Sequence, residues 1–263
     1  MENFDADRAG TGTAEWAEVT ENISRGCSNN CLYCYAASYA NRFKLKARSE
    51  WEHEEFTKRA AITSYPARKG VVMFPSSHDI TPFNVEACIR FAKLMLKKGN
   101  NLLIVSKPRL ECIRLVLKEL NEFKEQILFR FTIGTLTDDI SLMWEPGAPL
   151  PSERIEALSL ARASGFRTSV SIEPMLEDAA GAIAVVEAVR PFVTDTIWIG
   201  KMNKVRLRVK SEDPAIQKAV DKVTTELQSD ESIMTLYRHF KDDLMIRWKD
   251  SIKDVVARAT SQG

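Results

Sequence analysis

Three of the chain's five cysteines fall in one short run, Cys27-Ser-Asn-Asn-Cys31-Leu-Tyr-Cys34. Thiolates this dense can close on one metal ion or one iron–sulfur cluster. A closed structural zinc site takes four ligands, usually from two spaced pairs. No histidine lies near the run to complete it; the three are His53, His78 and His239. The economical reading is a [4Fe-4S] cluster with three irons held by Cys27, Cys31 and Cys34 and the fourth left open for chemistry. The alternatives are a zinc or redox-sensor site and a buried structural trio. Gly26, Ser28, Asn29 and Asn30 read as an exposed turn, which weighs against the trio.

The elements that must carry this loop follow an alternating pattern. Val19 to Ile23 reads as a first strand that delivers the cysteines at its C-terminal end, and residues 32–48 turn helical. Residues 49–69 are charged and irregular, a loop with one helical turn at most. Strands are then expected at Val71–Phe74, Leu102–Val105, Ile127–Ile133, Arg167–Ile172 and Thr196–Ile199. Helices are expected between them: from Thr81-Pro82 to Lys98, from Pro108 to about Asn121, from Pro151 to Gly165 and over 178–190. Six strands alternating with helices imply a parallel α/β sheet with right-handed crossovers, open or partly closed. Residues 1–14 read as a flexible leader, 15–205 as the core, and 206–263 as a mostly helical C-terminal extension.

The spacing of Cys27, Cys31 and Cys34, with aromatic Tyr33 before the last, resembles the signature of the radical S-adenosylmethionine (radical SAM) superfamily. Within it the chain is similar to the branch of spore photoproduct lyase and the photolyase-like proteins, over roughly residues 16–205. The resemblance implies a partial (β/α)6 barrel and two cofactors, the [4Fe-4S] cluster and S-adenosylmethionine. It implies that the open iron binds the methionine end of the cofactor. One-electron cleavage then yields a 5′-deoxyadenosyl radical that takes hydrogen from a substrate. An external electron donor such as flavodoxin or ferredoxin is implied as well.

In parallel barrels the active site gathers at the C-terminal ends of the strands. After the second strand come Ser76, Ser77 and His78, suited to the methionine amino group. In spore photoproduct lyase the similar segment carries a hydrogen-donating cysteine; here Ser76 takes its place, and its O–H is a far poorer donor. After the third strand comes Lys107, matched in the photolyase-like branch and suited to the methionine carboxylate. Thr132 and Thr135, at the end of the fourth strand, resemble the superfamily's ribose-binding position. Glu145 lies in a Glu-Pro-Gly loop similar to that branch's. Glu173, after the fifth strand, and Lys201 and Asn203, after the sixth, are the candidates to meet substrate. Lys204-Val-Arg206-Leu-Arg208-Val-Lys210 alternates strictly; as a strand it puts four cations on one face, to grip an anion or to protect a sheet edge. Cys88 and Cys112 read as core residues within amphipathic helices.

Composition bounds the partners. The net charge is +1, so no global field announces nucleic acid or membrane. An odd cysteine count with three crowded together argues for a reducing compartment. No apolar run opens the chain and none is long enough to span a bilayer, so the expectation is a cytoplasmic protein. The function expected is that of a radical SAM enzyme acting on a small-molecule or anionic substrate. The alternatives are DNA or RNA repair or modification of the photoproduct-lyase type, weakly supported by the basic stripe, and a non-catalytic metal- or cluster-binding protein.

Overall fold

The computed structural model describes Phe4, Arg8 and residues 10–261. Among these, seven parallel strands form one sheet in the order β1 (Val19–Thr20), β4 (Val71–Met73), β5 (Asn101–Ser106), β6 (Ile127–Thr132), β7 (Arg167–Ile172), β8 (Ile197–Ile199) and β9 (Ile246–Trp248). A short antiparallel pair, β2 (Ser24–Arg25) with β3 (Glu55–Phe56), stands apart. Neighbouring sheet strands follow one another in the chain but for that pair, so every connection within the sheet is a crossover between adjacent parallel strands. The helices that cover the outer face are α2 (Val85–Leu96), α3 (Leu110–Glu119), α5 (Pro151–Ala163), α6 (Ala179–Val189), α9 (Asp230–Phe240) and α10 (Asp250–Thr260). The architecture is the expected α/β partial barrel, with a seventh strand.

The pleat sorts the core. Alternate residues of a strand face opposite sides, and on β6 Ile127, Phe129 and Phe131 pack with the helices while Leu128 turns inward. The same holds for Leu102 and Ile104 against Leu103 on β5, and for Ile197 and Ile199 against Trp198 on β8. Inside, Trp16, Val71, Met73, Leu103, Leu128 and Trp198 form a separate apolar cluster with Phe4. Arg130 also points into this space, with its guanidinium 4.9 Å from the Trp16 ring and 5.2 Å from that of Trp198. Such cation–ring contacts offset part of the cost of burying the charge.

Four expectations need correcting. The leader is packed where it is described: Phe4 is buried and Gly12–Glu15 is a 3-10 turn; residues 1–3, 5–7 and 9 lie outside the described residues. The first strand is shorter, β1 and β2 being separate pieces of Val19–Arg25. Thr81 to Asn84 is a turn, not helix: Asn84 Oδ1 accepts from the Thr81 N–H at 3.1 Å, and α2 starts at Val85. The basic stripe is no strand. Lys204 takes a left-handed φ of 54° and Val205–Arg208 forms a helical turn, α7. Val205 and Val209, four apart, therefore share the face that is buried, and the four cations are dispersed around it. Apolar residues at every second position fit a helix equally well when only the first and last are buried.

The tail does more than cap. After α8 (Pro214–Lys222) and α9 it returns to add β9 beside β8, with Ile197 opposite Ile246 and Ile199 opposite Trp248.

Candidate functional site

The cysteine loop is held from every side by backbone. Gly26, at φ +87°, passes so close to the 48–56 segment that a Cβ there would sit 2.3 Å from the His53 carbonyl oxygen. The Cys27 N–H donates to the Trp51 carbonyl at 2.7 Å, and the Leu32 N–H to the Trp144 carbonyl at 2.9 Å. Arg48 donates to the Cys31 carbonyl at 3.1 Å. The stretch 49–69 thus serves as a buttress. Cys34 caps α1 (Tyr35–Arg42), its sulfur accepting from the Ala37 N–H at 3.4 Å.

Cys27, Cys31 and Cys34 are free thiols that line one cavity of about 470 Å3. The cavity opens where parallel strands end. Ser76, Ser77 and His78 reach it after β4, Lys107 after β5, Thr132 at the end of β6, Glu173 after β7, and Lys201 and Asn203 after β8. Tyr33 joins them from the cysteine loop. Two candidates do not line it. Thr135 donates to Glu177 and accepts from the Thr137 N–H, shaping a turn. Glu145 is wholly buried behind Tyr33 and Lys107.

Several groups reach the cavity already engaged. His78 Nε2 accepts from the Ile23 N–H at 3.1 Å and Nδ1 lies 2.9 Å from the Asp79 carbonyl. The ring is therefore neutral with its proton on Nδ1, and burial holds its pKa below the ordinary value. Both nitrogens are committed to backbone, so the serine hydroxyls are the freer groups of that segment, although Ser76 Oγ already accepts from Asn22 Nδ2 at 2.8 Å. The N–H groups of Ser76 and Ser77 are fixed on Asn22 Oδ1 at 2.9 and 2.7 Å. Asp79 ties three segments together, accepting from Asn29 Nδ2 at 2.7 Å, the Lys107 N–H at 2.8 Å and the Ser106 hydroxyl.

Electrostatics divides the site in two. Beside Cys31 lie Lys107, Glu145 and Arg154. Burial alone would depress the Lys107 ammonium, but the Cys31 and Glu145 charges outweigh it and raise its pKa. Burial would raise Glu145, yet Lys107 and Arg154 keep its carboxyl below the usual range. Burial pushes the Cys31 thiol up to about 12 against the pull of Lys107, and pushes Cys27 up with help from Asp79. Across the cavity, burial lifts Glu173 to about 7; Lys249, 3.6 Å away, opposes this, while Glu15 and Asp250 reinforce it.

Sequence reasoning missed residues brought in from afar. Trp16 and Gly12 line the cavity from the N-terminal side. Lys249, directly after β9 and with no exposed surface, pairs with Glu15 and donates to the Gly12 carbonyl at 2.7 Å. Arg208 alone of the four stripe cations lines the cavity. Arg206 instead pairs with Asp221 at 2.5 Å, and Lys210 donates to the Arg206 carbonyl at 3.1 Å. The signal for Lys249 was its place after a strand, hidden because β9 itself was not recognised.

The donor set suits a polynuclear iron–sulfur group. Three unpaired sulfurs of one loop face one cavity, with no fourth protein thiol among its lining residues.

Comparison with known proteins points the same way. The model of the Radical SAM superfamily matches residues 22–177. An uncharacterized protein, ORF301 of Acidianus two-tailed virus, is 26% identical over 166 residues, 59% of this chain and 54% of that protein. The chain thus spans about half the length of that curated relative. Among solved structures, Streptococcus suis SuiB bound to S-adenosylmethionine aligns at TM-score 0.52 and 11% identity over 86% of this chain and 48% of its own. Spore photoproduct lyase complexed with dinucleoside spore photoproduct aligns at 0.51 and 13% over 88% and 66%. A radical SAM methyltransferase from Sphaerobacter thermophilus aligns at 0.51 and 12% over 89% and 67%. At these identities the structural likeness is one of fold.

Proposed function

Because the chain belongs to the radical SAM superfamily, whose model spans more than half of it, we propose that it cleaves S-adenosylmethionine reductively and abstracts hydrogen from a small or anionic substrate. The observation that carries this is the convergence of Cys27, Cys31 and Cys34 with the ends of five strands on one cavity. Its volume lies within the range of small-molecule sites. When bound, a [4Fe-4S] cluster with one open iron supplies the electron that breaks the sulfonium bond and so releases the 5′-deoxyadenosyl radical.

The chain's own residues bind and orient. Cys27, Cys31 and Cys34 hold the cluster, giving up their protons on loading. Lys107, charged and half-buried, pairs with the methionine carboxylate. Ser76 and Ser77 offer hydroxyls to the amino group, and Thr132 one to the ribose. Glu173, Lys201, Asn203 and Arg208 stand on the remaining wall, where a substrate with an anionic group meets two cations. Trp16, Met73 and Met202 keep that wall partly dry.

The protein electron donor, a flavodoxin- or ferredoxin-type carrier, has a fitting surface in α1 and the residues after it. Tyr39, Phe43 and Leu45 are exposed there beside Arg42 and Lys44. From Asn22 to Ser49 the chain carries five cations and no acid. A reducing cytoplasm suits such a site. Among the described residues no helix is long and apolar enough to cross a membrane. A nucleic-acid substrate is the alternative reading. Of the four stripe cations it retains only Arg208 at the cavity, and Ser76 stands where photoproduct repair would want a thiol.

The test is anaerobic reconstitution with iron and sulfide, followed by dithionite and S-adenosylmethionine. Wild type is expected to turn brown and release 5′-deoxyadenosine, and each Cys→Ser variant at 27, 31 and 34 to release none. Colourless, iron-free protein would remove the proposal. The same preparation titrated with a single-stranded oligonucleotide at two salt concentrations decides between substrates: salt-dependent binding abolished by R208A favours nucleic acid.

A further inference from the structure

Glu145 was expected to touch the cofactor, yet its side chain has no exposed surface. It is instead the hub of a buried cluster drawn from four places in the chain. The Tyr33 hydroxyl, from the cysteine loop, donates to Oε1. Lys107 Nζ, after β5, lies 3.6 Å from the same oxygen and 5.5 Å from the centre of the Tyr33 ring. Arg154 Nη2, on α5, lies 2.5 Å from Oε2. Arg154 is itself immobilised, donating to the Pro149 carbonyl at 2.7 Å, the Thr132 carbonyl at 3.3 Å and the Ser141 hydroxyl at 3.2 Å. Arg154, a charged side chain on a helix, is 1% exposed. Burying an arginine and a lysine together is costly unless both are paired, and a single carboxylate pairs both.

We propose that Lys107, Arg154 and Glu145 form one fixed set of charges beside Cys31, and that the net charge of this set governs how readily the cluster held by the loop accepts an electron. Reduction adds one negative charge at the site. A nearby fixed cation stabilises the reduced form and a nearby fixed anion opposes it, most strongly where water is excluded. Asp79 lies on the Cys27 side and is engaged by Asn29, Ser106 and the Lys107 N–H, while Glu54 and Arg109 meet the loop at Ser28 and Asn29. The buried ionised groups that act on the Cys31 thiol are Lys107, Glu145 and Arg154, two positive and one negative, and Arg48 meets the Cys31 carbonyl from outside.

The inference rests on the cluster reading above, and its test separates the two. The full-length chain is reconstituted anaerobically, and its reduction is followed by electron paramagnetic resonance against potential, with no S-adenosylmethionine present. K107M removes one cation and is expected to lower the potential by at least a tenfold change in the reduced-to-oxidised ratio, about 59 mV for one electron. K107R keeps the charge and should stay at the wild-type value. E145Q removes the anion and should move the potential upward. Loosened packing that admits water would shift both Lys107 variants and E145Q one way. A K107M potential equal to wild type, or K107M and E145Q moving together, overturns the inference. Should E145Q not fold, K107M against K107R decides alone. A wild-type protein with no reducible signal instead overturns the cluster reading.

Discussion

Glu173 shows how much a single side chain can owe to its surroundings. It sits after β7 with 22% of its side chain exposed, facing the cavity on one side and Lys249 on the other. Burial lifts its pKa from 4.5 to about 7, past what Lys249 restores. The folded protein therefore holds this proton more tightly than the unfolded chain. Its contribution to stability is whole below the unfolded value and is lost as pH rises through about 7. From about pH 5 to about pH 8 this amounts to about 2 kcal/mol. The stability of E173Q minus that of wild type, from urea unfolding, should grow by that amount over the window; a difference flat with pH would show that Glu173 ionises normally. Residues of this kind were legible in part. The rule that strand ends carry chemistry located Ser76, Lys107, Thr132, Glu173, Lys201 and Asn203 at the cavity. It could not tell a side chain that faces the cavity from one that turns away to build the wall, as Thr135 and Glu145 do. That distinction depends on partners such as Glu177 and Arg154, which no local pattern names.

At the scale of elements, the inner face of the sheet is closed by two pieces that sequence reading set aside as leader and extension. The 3-10 turn Gly12–Glu15 lies across the barrel interior, and the residue after β9 reaches up to meet it. The Lys249–Glu15 pair, 0% and 4% exposed, joins them across more than two hundred residues of chain. Lys249 Nζ also lies 4.3 Å from the Trp16 ring centre. Removing one partner of such a pair strands the other charge, which costs about 3–5 kcal/mol. K249M should lose that much in a denaturant titration, and the double variant K249M/E15Q should recover part of it because the buried Glu15 charge is gone and only Glu173, 22% exposed, has lost its lysine. A K249M loss under about 1 kcal/mol would mean that water reaches Glu15 and the closure is loose. The helices and central strands were easy to see because their periods are long and their ends carry Pro, Gly and Asn. β9 was not: three residues, Ile246-Arg-Trp248, are too few to show a period, and only β8 beside them makes them a strand. The stripe at 204–210 failed for the opposite reason, a clean period of two where Val205 and Val209 answer to a helical turn.

For the whole molecule, the question is whether the first 205 residues form a barrel that the rest merely covers. The contacts argue otherwise. β9 hydrogen-bonds to β8 and covers the edge that β8 would otherwise expose, and an unpaired edge of that apolarity is an aggregation hazard. Gln228, buried in the tail, accepts from the Met202 N–H and donates to the Met175 carbonyl, both at 2.7 Å, so it pins the loops after β7 and β8. The Ser251 hydroxyl accepts from the Lys201 N–H at 3.0 Å. Ile233, Leu236, Phe240, Ile252 and Val255 belong to the same apolar core as α2, α3 and α5. A barrel this thin, with seven short strands and, among the described residues, no closure between β1 and β9 but the turn at Gly12–Glu15, holds its cavity wall only while the tail is in place. A chain ending at Ser211 is therefore expected to lack a cooperative thermal transition and to collect in the insoluble fraction, whereas the full chain unfolds in one step. The measurement is circular dichroism on heating, with iron content after reconstitution as the second readout. A truncated chain that melts cooperatively and still binds iron would mean that β9, Gln228 and Lys249 decorate a barrel able to stand without them.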